Sequence, residues 1–150
     1  IHKRLWPEFL AIANSQESWQ FDKLSKEGKE LYAAVESQGL LRTNEHSKIT
    51  GVRTRSLGDA ARELESKILV YGHGFHTKSG AHAKLLKTWT RWIKDTNYHD
   101  NRQVEVQNAK DTFKDIVERL KQRYGARARL PWERSVNLTV GTRKKNSSIL

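Results

Sequence analysis

Two arginines and two hydroxyls stand together in Arg53-Thr54-Arg55-Ser56. An arginine bonds both O6 and N7 of a guanine in the major groove, which discriminates between bases by about 1–3 kcal/mol. Hydroxyls and lysines bond phosphate oxygens, contacts that set position without reading sequence. Arg62 lies on the polar side of the helical pattern that follows, and Thr43, Lys48 and Lys67 flank the region as further phosphate partners. His73, His76 and Lys78 come next and are placed to approach a nucleic-acid backbone. Asp59 and Glu63 share the polar side and oppose phosphate. The plain alternative is a solvated face with internal pairs such as Asp59–Arg62 and Arg62–Glu65.

His73, His76 and His82 have a spacing that invites a metal ion. Zinc takes four ligands, or three and a water. With no Cys in the chain, His46 or Asp95 would have to complete the set. Ordinary surface histidines are the expectation, with no metal and no cofactor. Nucleophile chemistry has little to stand on: Ser79 beside Gly80 lacks the Gly-x-Ser-x-Gly turn, and there is no phosphate-binding glycine loop. Glu63 and Glu65 point to different sides of one helix and form no carboxylate pair. The expectation is a binding protein and not an enzyme.

The 150 residues include 28 Lys and Arg against 17 Asp and Glu, a formal charge of +11. The excess is concentrated at one end. Residues 119–150 hold nine cations, among them Arg127, Arg129, Lys144 and Lys145, against the single acid Glu133. That asymmetry predicts a basic C-terminal arm for polyanions, with a solubilising extension as the alternative. Tyr124 and Trp132 flank the basic run, and single-stranded RNA stacks its bases on such side chains, so RNA is the second partner considered. No apolar run approaches the roughly 18 residues of a membrane span. The absence of Cys removes any disulfide framework. No signal-peptide pattern follows Ile1, a start that suits a processed or excised piece. The expected location is intracellular, in cytoplasm or nucleoid, with no membrane partner.

These side chains need elements to carry them. Trp6, Phe9, Leu10, Ile12, Trp19 and Phe21 suggest a short helix and a strap over residues 1–24. Ser25 caps a helix to Gln38, stopped by Gly39. A two-turn helix spans 44–50 and ends at Gly51. A third helix runs from 54 or 56 to 67, with Leu57, Ala60, Ala61, Leu64 and Ile68 at i, i+3, i+4, i+7 spacing. Lys67 to Tyr71 and Phe75 to Thr77 read as a hairpin around Gly72-His73-Gly74. Helices are then predicted over 81–94 and 104–124. The stripe of Trp89 and Trp92 on the first of these reads as core, or, more sharply, as the interface of a homodimer.

Helix, short helix, helix and hairpin in that order are the layout of a winged helix-turn-helix, in which the third helix enters the major groove. Residues 27–77, with LYAAVESQGLLRTNEHSKITGVRTRSLGDAARELESKILVYGHGFHT, resemble the winged-helix domains of bacterial and archaeal DNA-binding proteins. SLGDAARELESKILVYGHGFHTKSGAHAKLL is similar to winged-helix segments in relatives of the interstrand-crosslink DNA glycosylases. That enzyme family uses a Gln-x-Gln or Gln-x-Asp element. Gln103-Val-Glu-Val-Gln107 has a different spacing, so no catalytic residue carries over.

The expected molecule is mostly α: an N-terminal helix and strap (1–24), a winged helix-turn-helix of three helices and a small hairpin wing (25–77), two appended helices (78–125) and a basic tail (126–150). Its expected function is binding of duplex DNA. RNA binding within a larger particle, and protein docking as an accessory domain of a DNA-repair protein, are the alternatives.

Overall fold

The computed structural model describes residues 1–125 and 127–135. Among them are seven α-helices: α1 (Trp6–Ala13), α2 (Ser18–Phe21), α3 (Lys26–Gln38), α4 (Thr43–Thr50), α5 (Thr54–Ser66), α6 (Trp89–Thr96) and α7 (Val106–Tyr124). Three strands, β1 (Leu40–Arg42), β2 (Tyr71–His76) and β3 (His82–Lys87), form one antiparallel sheet in the order β1-β3-β2. The described chain is therefore mostly helical with a small hairpin. No helix in it is long and apolar enough to cross a membrane.

Helices stand where the sequence places them for α3, α4, α5 and α7, but Ile49 of α4 and Leu120 of α7, apolar positions expected to turn inward, are exposed. Ser25 caps α3, its hydroxyl accepting the Gly28 N–H at 2.9 Å. The inward stripe of α5, Leu57, Ala60, Ala61 and Leu64, is buried against Leu31 and Val35 of α3 and Leu86 of β3. Glu63 and Glu65 do leave α5 on different sides, Glu63 toward Ser25 and Glu65 toward Lys84.

The hairpin lies further along than the sequence places it. Residues 67–70 are not a strand. The N–H groups of Lys67, Ile68 and Leu69 bond back to carbonyls of Glu63, Glu65 and Leu64, which closes the end of α5. Ile68 takes a left-handed φ of +57°, uncommon for a β-branched residue. The turn falls at 77–81 and not at 72–74. Residues 82–87, read as the start of a helix, are β3. Leu40–Arg42, read as a bridge between helices, is β1, with Leu41 opposite Leu86. The ladder explains the difference: β3 is bonded on both sides, and such non-local pairing outweighs the helical preference of Lys84 to Lys87.

The predicted helix 81–94 is thus reduced to α6. Its tryptophans join an internal cluster. Trp92 stacks on Trp6 with ring centroids 4.4 Å apart and planes at 28°. Trp89 is buried, meets Phe9 edge-on at 5.0 Å and donates its indole N–H to the Ile68 carbonyl at 2.9 Å. The core reading of that stripe is the one the packing supports, and the homodimer expectation loses its exposed apolar face. A third cluster joins Ile12 and Trp19 to Ala109 and Phe113 of α7 and to Trp132.

Candidate nucleic-acid interface

The turn between α4 and α5 is short and fixed. Gly51 ends α4 with φ +73°, a conformation open to glycine without steric penalty. Ser47 donates its hydroxyl to the Val52 carbonyl at 2.7 Å, and Val52 packs against the core. Arg53 is then the N-cap of α5, and no side chain caps the helix there. The first turn of α5 carries no acid, so its positive end is left open. Arg53, Thr54 and Arg55 are all exposed around it.

The remaining residues predicted for the site divide. Ser56 is half-buried in a hollow it shares with Ser25, Glu27, Asp59 and Glu63, an acidic lining that disfavours phosphate. Arg62 is exposed and paired with Asp59, the intrahelical pair expected from spacing. Lys67 sits at the C-terminal end of α5, away from Arg53 and Arg55. Its ammonium donates to the Trp19 carbonyl at 2.7 Å, while its own carbonyl accepts from Gln20. Lys67 thus ties the N-terminal segment to α5, a structural role beside the phosphate contact expected of it.

The hairpin is built as a projecting loop. The Thr77 N–H bonds the Ala81 carbonyl at 2.8 Å and the Gly80 N–H bonds the Thr77 carbonyl at 2.9 Å, leaving Lys78 exposed at the tip. Strand alternation puts Gly72, Gly74 and His76 of β2 with His82, Lys84 and Leu86 of β3 on the face toward α5. Lys84 pairs with Glu65, and Gly72 lies so close to the Glu65 carboxylate that a Cβ there would collide with it. The Lys84 N–H, beyond the end of β1, is taken by the Thr43 hydroxyl at 2.9 Å. Toward the tip the two elements part, and a crevice opens between them, lined by Thr54, Gly58, Arg62, Gly74 and His82.

His73 belongs to the opposite face of the sheet. The rings of His76 and His82 lie 4.3 Å apart, but His73 points away from them, so the three imidazoles do not converge on one ion. On that outer face Arg42 lies 5.6 Å over the Phe75 ring.

The arm is only partly in view. Arg127 and Arg129 are exposed, but the segment that carries them is anchored. Leu130 is buried, and Trp132 meets Trp19 at 5.9 Å and Phe113 at 6.5 Å. Trp132 is thereby an internal contact and not a free stacking surface for RNA. Lys144 and Lys145 lie outside the described residues.

Gly58, Gly74, His82 and Lys84 were not among the nucleic-acid-binding residues read from the sequence. An isolated glycine inside the helical pattern of α5 was the available signal. Comparison with protein-family models, with curated proteins and with solved structures gives no match.

Proposed function

We propose that this chain binds duplex DNA as a winged helix-turn-helix, α5 entering the major groove and the β2–β3 hairpin following the adjacent backbone. One observation carries the reading: α5 presents an open N-terminus with Arg53 and Arg55 exposed, beside a hairpin pinned to it by Glu65 and Lys84. Among the described residues Arg53, Arg55 and Lys78 make no ion pair, whereas Lys84, Lys87 and Lys110 each hold an acid. The order α3, β1, α4, α5, β2, β3, with β1 beside β3, supports the same assignment. In this reading the chain recognises and does not catalyse.

A titration of duplex DNA against salt tests it. Each phosphate neutralised contributes about −0.9 to the slope of log affinity against log salt. Replacing Arg53 and Arg55 together by Ala should weaken binding and flatten that slope. A wild-type affinity that ignores salt overturns the reading. A second reading, docking of another protein, has Ile49 in its favour, 83% exposed on α4. Ile49→Ser separates the two, since it removes the apolar side chain without adding charge and leaves DNA affinity intact under the first.

A further inference from the structure

Gly58 and Gly74 line the same crevice from opposite walls, one from α5 and one from β2. Nothing among the described residues requires either to be glycine. Neither has a left-handed φ. Among the described residues a Cβ built on either would meet no atom of another element within 4 Å. Glycine weakens a helix interior relative to alanine and weakens a strand interior as well. Gly72 and Gly28 differ, because a Cβ there would collide with Glu65 or Glu63. The two unexplained glycines thus keep empty space that the fold itself does not use.

The crevice walls say what suits that space. Thr54 offers a hydroxyl, and Arg62, His82 and Lys84 offer N–H donors. Asp59 and Glu65 hold Arg62 and Lys84 in place without using every donor these groups have. We propose that the crevice receives one sugar–phosphate strand of duplex DNA, and that Gly58 and Gly74 let the ligand backbone come close to the protein backbone. This rests on the DNA-binding reading above. It adds that the contact is made between helix and hairpin, at residues whose lack of a side chain matters.

The test turns on substitutions that should help folding and harm binding. In the full chain, Gly58→Ala should raise the melting temperature and lower duplex affinity about threefold. Gly58→Leu with Gly74→Val should lower it at least tenfold at fixed salt, while Ala33→Leu, on the exposed side of α3, should leave it unchanged. Because Gly58→Ala adds one methyl into open space, it keeps the test valid if the bulkier pair melts early. Glycine variants that fold and bind as tightly as wild type overturn this proposal and leave the DNA reading standing. A wild-type chain that binds no duplex at low salt overturns both.

Discussion

The carboxylate of Glu63 on α5 accepts both the backbone N–H of Ser25, at 2.9 Å, and its hydroxyl, at 2.6 Å. Ser25 in turn caps α3. One acid on the candidate recognition helix therefore fixes where its supporting helix begins. Removing a cap costs about 1 kcal/mol, and a hydrogen bond to a charged group is worth about 1.5–3 kcal/mol. Glu63→Ala should lower stability by about 1–3 kcal/mol in chemical denaturation, with the slope against denaturant unchanged.

Lys67, the C-cap of α5, and Arg55, in its first turn, should behave in opposite ways. Lys67→Ala breaks the bond to the Trp19 carbonyl and should cost about 1.5–3 kcal/mol, leaving DNA affinity unchanged in the folded protein. Arg55→Ala should leave the melting temperature within a degree or two and weaken duplex binding. Melting curves and binding isotherms on the two variants give a crossed pattern.

Acid should loosen the attachment of α7. Burial pulls the Glu17 carboxyl upward, but bonds from Lys110 and Trp19 outweigh it and leave the group below its ordinary range. A carboxyl lowered by folding adds stability above its unfolded value, and that stability fades as pH falls through the folded one. Glu17→Gln should therefore be less stable than wild type near neutrality and converge on it in strong acid. Denaturation curves across the acid range provide the check.

The Trp6–Trp92 stack predicts what happens when the N-terminal helix is released. Trp6→Ala removes a half-buried ring that touches Phe9, Trp92 and Tyr98, at a cost of about 2–4 kcal/mol. Trp92→Ala should destabilise the chain similarly without changing the mass seen by sedimentation. A change in mass would restore Trp92 to a subunit interface.

Helix positions were legible because each carries its own punctuation. Ser25 and Gly39 bracket α3, and the stripe from Leu57 to Leu64 dictates the inward face of α5. The strands were not, because their evidence is distant. Leu40 and Leu41 look like a linker until Lys87 and Leu86 pair with them, and Leu85, Leu86 and Trp89 fit a helix equally well by local spacing. The site followed the same division. Arg53 and Arg55 stand at the start of α5, where the helical period placed them, whereas Lys78 reaches the hairpin tip only because the turn lies at 77–81 and not at 72–74. Lys67 could not be placed from local pattern, since only tertiary contact shows that its ammonium is bound to Trp19. Nor could the crevice, which exists only because Gly58 and Gly74 are brought to face each other.

The strand at the centre of the sheet, β3, is also the last of the three in the chain. During synthesis β1 and β2 emerge with no partner and wait until Lys87 has cleared the ribosome. The helices α3, α4 and α5 depend mostly on near neighbours and can associate earlier, whereas β1 must close a long loop to reach its partner. Assembly of the sheet should therefore end with insertion of β3, ahead of α6 and α7, which follow it in the chain and pack on the N-terminal helices. A nascent chain halted before His82 would hold the helical trio with two orphaned strand edges, a natural stopping place for a chaperone to recognise.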